Sequence, residues 1–269
     1  MRIEIFIFNE IKKLSLKIPG IQNLFFKFES YIFDIFKVFN FRRFFGKKLR
    51  KPIQPNEVLI KKFKNLYEKN FFDESLNIII ESIEEKIKSA WRGHHYFALW
   101  LVKELQPSII VDLGVDRGFS TLIFASQQVG EVYGIDWFKK TNYSGKLFDD
   151  YVPCMRNVKV IQKKFGIKKI TIIQAKFSKV AEKWKVPIDI LHIDGSHVYE
   201  SVKEDYEIWS KFLNKDGVIL FHDTNAYPGV VKFFNELNLP KFNFLHSYGL
   251  GVISKNELLM SKIEEKWNL

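Results

Sequence analysis

The sequence predicts an α/β domain built on a doubly wound, mostly parallel sheet, closed by a C-terminal antiparallel hairpin and preceded by a helical extension. Three observations predict it. From residue 109 onward, short apolar runs alternate with amphipathic stretches, the pattern of strands joined by helical crossovers. Two of those runs, residues 188–193 and 218–221, read as strands buried on both faces. Each of the two ends abruptly near an acid, Asp194 and Asp223, so polar groups gather at strand exits, where open parallel sheets bind their ligands.

The N-terminal 46 residues are rich in Phe, and Leu24, Phe25, Phe28, Ile32, Ile35, Phe36 and Phe39 recur at helical spacing opposite Lys27, Asp34 and Lys37. That predicts an amphipathic helix. A basic cluster follows over residues 41–52, with Gly46 and Pro52 as breakers. Its composition suits either an interfacial anchor on anionic lipid or a helix packed on the domain or on a second subunit. Residues 53–72 read as a linker and a short helix, which sets the expected boundary: extension over 1–72, main domain over 73–269. Helices are expected at 74–88 and 95–104, then a strand at 109–111 and a helix at 119–128 stopped by Gly130. A strand at 131–135, a helix over about 146–165 carrying Pro153, a strand at 170–173 and a short helix at 178–184 come next. The two long apolar strands flank a helix at 198–213. After a helix at 230–237, two strands around a tight Ser247-Tyr248 turn end the pattern.

At 269 residues, 46% of them apolar and 27% charged, the chain has material for one large core. Its net charge of +11 is uneven, because residues 1–52 hold twelve Lys/Arg against four Asp/Glu. The remainder is near balance, and neither zinc-finger spacing nor an aromatic-basic RNA motif is present, so nucleic acid is not an expected partner. The single cysteine, Cys154, excludes an intramolecular disulfide and fits a reducing, cytoplasmic compartment. Acids and lysines interrupt the first thirty residues, against a secretory signal, and no uncharged run approaches the roughly 20 residues of a spanning helix.

Residues 111–121, VDLGVDRGFST, join the first strand to its helix and place Asp112 two residues before the first glycine of a G-x-x-x-G turn, Gly114 and Gly118. The dinucleotide fingerprint and the P-loop are both absent. Glycines at this point let a ligand approach the backbone, and a helix start favours an anionic group. The next strand ends in Asp136, where a carboxylate can accept both hydroxyls of a ribose. Glycine turn, next strand, acid: that order matches an adenosine lying across adjacent strand ends.

Through these residues the chain resembles the class I S-adenosylmethionine-dependent methyltransferases, whose fold is a Rossmann-like sheet. HIDGSHVYE at 192–200, FHD at 221–223 and GLGVI at 249–253 resemble the small-molecule O-methyltransferase branch that includes macrocin O-methyltransferase-like and cephalosporin-hydroxylase-like proteins. The resemblance spans roughly residues 85–255. It implies S-adenosylmethionine held by Asp112, Gly114, Gly118, Ser120, Asp136 and Gln174, and a hydroxylated small-molecule acceptor, with a sugar or glycan intermediate as one class.

If the strands bearing Asp194 and Asp223 are neighbours, both carboxylates converge on one divalent cation such as Mg, with His222 as a further candidate ligand. His197, three residues past Asp194, is the candidate general base, and Asp194 joins it as a candidate catalytic residue. His222 stands where better-understood metal-dependent members offer an acid, which leaves metal-assisted and metal-free chemistry both open. His192, two residues before Asp194 on the same strand face, reads as a core histidine. Trp91, Arg92 and His94 precede the first strand, where a helix can fold over the site. A second reading is a non-catalytic, cofactor-binding subunit tethered to a membrane or partner enzyme by residues 1–52, and a homo-oligomer is compatible with either.

Overall fold

In a computed structural model of the chain, the structure describes residues 57–71, 73–141 and 147–268. The Phe-rich helix and basic cluster expected over residues 1–52 lie outside them.

Nine strands and nine α-helices are described: α1 (Glu57–Phe71), α2 (Glu74–Lys86), α3 (His95–Leu105), β1 (Ile109–Leu113), α4 (Phe119–Ala125), β2 (Glu131–Asp136), β3 (Lys139–Thr141), β4 (Leu147–Asp149), α5 (Tyr151–Phe165), β5 (Ile170–Gln174), α6 (Phe177–Ala181), β6 (Ile188–Ile193), α7 (Tyr199–Trp209), β7 (Leu213–His222), α8 (Pro228–Glu236), β8 (Lys241–Phe244), β9 (Leu250–Ser254) and α9 (Glu257–Trp267). Seven strands form one sheet in the order β5-β2-β1-β6-β7-β9-β8. The first five are parallel, β9 runs antiparallel to β7, and β8 antiparallel to β9. Chain order reverses on either side of β1, which opens a crevice at the carboxyl ends of β1 and β6.

Alternation along the strands divides the core into two layers. Ile110, Ile190, Val218 and Leu220 face the layer that includes α1 to α5 and α9, while Val111, Leu191, Ile219 and Phe221 face the one under α6 to α8. This parity decides where strand histidines point: His192 and His222 share it with Ile190 and Leu220, so both face the first layer.

Helix α1 departs from the expected boundary. Ile60, Phe63 and Tyr67 recur at helical spacing and are buried in the first layer, where Phe63 stacks on Trp267 at 6.0 Å. The compact unit therefore begins before residue 72, not after it. Helix α5 starts at Tyr151 rather than near 146, which puts Pro153 in its first turn, where the missing N–H costs no hydrogen bond. The α9 helix, absent from the sequence-based expectation, is started by Asn256, whose side chain accepts from the Leu259 N–H at 2.9 Å. Its Trp267 is 2% exposed and packs against Phe97, Trp100 and Phe244. Cys154 lies in the core, where burial pushes its thiol up to about 12, as an inert thiol requires.

Candidate active site

The crevice at the switch point brings the two sequence motifs together. After β1 the chain turns through Gly114 (φ +101°), Asp116 (φ +49°) and Gly118 (φ +92°), and only the first and last lack a Cβ penalty for it. A Cβ on Gly114 would stand 2.0 Å from the carbonyl oxygen of Asp194, so the turn is pressed against the exit of β6. The Asp194 N–H donates to the Leu113 carbonyl at 2.8 Å, and the Gly114 N–H to that of Ile135 at 2.9 Å, which ties three strand ends into one rim.

On the β2 side, the Asp136 carboxylate accepts from the backbone N–H of Asp116 at 3.0 Å and of Phe138 at 2.7 Å. It thereby links the glycine turn to the next strand. Gln174 pairs in register with Asp136 at the end of β5, and its side chain is exposed at the same rim.

Asp112 and Ser120 go elsewhere. Asp112 is fully buried, and its oxygens accept from Ser120 Oγ at 2.8 Å and Thr121 Oγ1 at 2.5 Å and face His192 Nδ1 at 2.7 Å. The indole N–H of Trp91 donates to His192 Nε2 at 3.2 Å, so His192 accepts there and donates to Asp112 from Nδ1. This closed relay runs from Trp91 through β6 and β1 to the first turn of α4. It braces the glycine turn from beneath, and Asp112 and Ser120, both expected on the cofactor side, belong to it. It also accounts for His192 as a core histidine.

Across the crevice, β6 and β7 are parallel neighbours, and their exits bring Asp194, His197 and Asp223 together, with one potential ligand atom from each all within 4.8 Å. His197 Nε2 lies 2.8 Å from Asp223 Oδ2. Its imidazole, 40% exposed, stacks face to face on Tyr227 at 3.8 Å and 6°. Gly229 makes that placement possible: a Cβ there would meet the His197 carbonyl oxygen at 2.4 Å. Tyr227 and Gly229 were not singled out from the sequence; the turn composition YPG just before a helix is the signal that marks them. Asp223 itself has φ +65°, a left-handed conformation uncommon for a non-glycine residue, which turns the chain out of β7 beside His197.

His222, expected among the cation ligands, stands beside this three-residue group, with Nδ1 3.2 Å from Asp194 Oδ1 and 3.5 Å from Asp223 Oδ1. Its Nε2 donates to the Ser247 carbonyl at 3.1 Å. Burial alone would lower its pKa, but Asp194 and Asp223 beside it and the Ser247 carbonyl carry it up to about 9. The same Ser247 carbonyl faces His94 Nε2 at 3.1 Å, and Ser247 Oγ donates to the Arg92 carbonyl at 2.5 Å. Trp91 and His94 are thus buried supports of the rim. Arg92 pairs with Glu57 and Glu84, each at 3.1 Å.

Comparison with known proteins bears on the fold that carries this crevice. Residues 111–224, from β1 to the end of the acidic cluster, match the model of a family described as a methyltransferase domain. An uncharacterized protein, y4gI, of Sinorhizobium fredii is 30% identical over 176 residues, covering 61% of this chain and 19% of that one. An uncharacterized protein of Acanthamoeba polyphaga mimivirus is 36% identical over 63 residues, and the match covers 28% of its length, so the chain spans well under half of either relative. Among solved structures, the S-adenosylhomocysteine-bound methyltransferase PaMTH1 of Podospora anserina aligns with a TM-score of 0.50 at 14% identity, over 78% of this chain and 98% of that one. The O-methyltransferase TomG of Streptomyces achromogenes, solved with S-adenosylmethionine, gives 0.50 at 12% identity, over 74% and 96%. At such identities the likeness is one of fold. Over residues 111–224 the chain is thus similar to a methyltransferase domain, on a fold it shares with these solved structures.

Proposed function

We propose that the protein transfers a methyl group from S-adenosylmethionine to a hydroxyl of a small acceptor, with His197 as general base. The observation that carries this reading is the 2.8 Å pairing of His197 with Asp223, beside Asp194 and next to the glycine turn. With Nε2–H donated to Asp223, the other ring nitrogen of His197 is left to accept a proton at the exposed mouth. Asp223 fixes the tautomer and stabilises the imidazolium that forms, and stacking on Tyr227 fixes the ring plane. The acceptor proton passes to His197 as its oxygen attacks the methyl carbon and the carbon–sulfur bond of the sulfonium breaks. Such assistance is commonly worth about 10² to 10⁴ in rate, and alignment of the two reactants supplies much of the rest.

Gly114, Gly118, Asp136 and Gln174 form the rim on which the cofactor lies in this reading, with Asp136 toward the ribose. Asp112 and Ser120 hold that rim from below. Sugars and glycan intermediates fit as acceptors because their alcohols need a base at neutral pH. As an alternative to the base role of His197, Asp194, His197 and Asp223 have the donor set and spacing for a divalent cation, two carboxylates and an imidazole. Such an ion would supply Lewis-acid polarisation of the acceptor oxygen.

Isothermal titration with S-adenosylhomocysteine tests the cofactor assignment. Wild-type protein is expected to bind and Asp136→Ala to bind at least tenfold more weakly; no binding by wild type, or equal binding by the variant, refutes it. Titration of the same protein with Mn²⁺ tests the cation, whose binding should vanish in Asp194→Asn.

A further inference from the structure

One surface outside the site has a composition the reaction does not call for. Residues 151–174 contain six Lys/Arg and no Asp/Glu, residues 1–52 contain twelve against four, and the rest of the chain holds 24 Lys/Arg against 27 Asp/Glu. The net positive charge therefore resides in two segments, and the second is an ordered part of the domain, α5 and its approach to β5. Within α5, Cys154, Val158 and Ile161 are buried, whereas Val152, Arg156, Lys159, Val160 and Lys163 form an exposed stripe on one helix face. Val152 is 59% exposed and Val160 44%. Elsewhere on the surface helical lysines are matched by acids a turn away, as Lys203 is by Glu207 and Lys232 by Glu236. The α5 cations have no such acid anywhere in their own segment.

At the N-terminal end of this helix stands Trp137, 41% exposed, whose neighbour Phe138 packs edge-on against Tyr151 at 5.3 Å. The ammonium groups of Lys139 and Lys176 lie 4.6 and 5.7 Å from the centre of the Trp137 ring.

We propose that the outer face of α5 docks on an anionic phospholipid surface. Charge complementarity requires an anionic partner, and the two bare valines choose among anionic partners. On a bilayer they enter the headgroup boundary while Arg156, Lys159 and Lys163 meet lipid phosphates, the division of labour of an interfacial helix. A nucleic acid would engage the cations and leave Val152 and Val160 idle. The inner side of the same helix backs the glycine turn, since a Cβ on Gly118 would meet Val158 at 3.2 Å and Cys154 at 3.6 Å. Docking through α5 thus sets the cofactor side of the crevice beside the lipid.

The full chain is sedimented with phosphatidylcholine vesicles, with and without phosphatidylglycerol, as wild type and as Arg156→Gln/Lys159→Gln/Lys163→Gln. Wild type is expected to bind the anionic vesicles in a salt-sensitive way, and the triple variant to lose about 100-fold in partitioning, from three cations removed. Val152→Asp should weaken binding as well. Because all four side chains are exposed, circular dichroism and S-adenosylhomocysteine affinity should match wild type, which separates this test from that of the methyl-transfer reading. The inference is overturned if the α5 variant sediments like wild type, if only Arg42→Gln/Arg43→Gln/Lys47→Gln loses binding, or if RNA binds and anionic vesicles do not.

Discussion

Gly114→Ala is the substitution whose cost follows most directly from the geometry. The residue holds φ +101°, and a Cβ there would lie 2.0 Å from the Asp194 carbonyl oxygen and 2.5 Å from its carbon, both backbone atoms. Forcing an L-residue into that conformation costs about 1–2 kcal/mol. The clash adds the cost of overpacking, about 1–3 kcal/mol, because β6 must move away by more than an ångström from a strand it is hydrogen-bonded to. Together these give roughly 2–5 kcal/mol, which in a domain of this size lowers Tm by about 5–15 °C. Gly166→Ala is the matched control: φ is +69° and nothing lies within 4 Å of its Cβ position, so only the conformational part, about 1–2 kcal/mol, applies. Differential scanning fluorimetry reads both, and titration with S-adenosylhomocysteine reads the function, because the displaced atom belongs to Asp194. Gly114→Ala is expected to melt well below Gly166→Ala and to bind the nucleoside more weakly. Equal melting temperatures with intact binding would refute the contact between the glycine turn and the acidic cluster.

Three further outcomes are expected. In His197→Ala and in Asp223→Asn, turnover should fall about 10² to 10⁴-fold while S-adenosylhomocysteine affinity stays near that of wild type; unimpaired turnover in either removes the proposed base. Trp91→Phe leaves His192 Nε2 without its donor in a dry interior, so urea unfolding should report a loss of about 1–3 kcal/mol, and an unchanged midpoint would show that the relay does not brace the fold. Stability should also fall in mild acid. Burial, with Arg92 nearby, holds His95 down to about 3, and burial, with His222 nearby, holds His246 down to about 4. Glu84 stands 3.7 Å from His95 Nε2, too far to hydrogen-bond and reverse this. Both rings are neutral when folded and take up a proton when unfolded, so their contribution is complete above about pH 6.5 and is lost as pH falls toward 4. The expected slope approaches about 1.4 kcal/mol per pH unit for each histidine, and urea midpoints equal at pH 7 and pH 5 would contradict it.

The fold was largely legible because the strands at 109–113, 131–136, 170–174 and 188–193 are short apolar runs with sharp ends, and periodicity is read directly from residues. What escaped depended on tertiary partners. Helix α9 gains its reason to exist from the aromatic wall of Phe63, Phe97 and Trp100 around Trp267, which no local pattern displays. In the site, the gathering of Asp194, His197 and Asp223 followed from strand exits being neighbours, as they are. The fates of Asp112 and His222 turned on which side of the sheet each strand residue faces. That parity was present in the sequence, since His222 lies two residues from Leu220 and four from Val218, but its meaning required knowing which layer held Trp91 and His94. Tyr227 reaches His197 only through the path of the chain after Asp223, and so lay beyond any spacing argument.

The central claim is most directly tested by incubating wild type and His197→Ala with methyl-labelled S-adenosylmethionine and a cell extract, and following the label by mass spectrometry. Label on the oxygen of a small hydroxylated molecule with wild type, and its loss in the variant, is the predicted result. Binding of the cofactor with no label transferred by wild type, or transfer undiminished in His197→Ala, would contradict it.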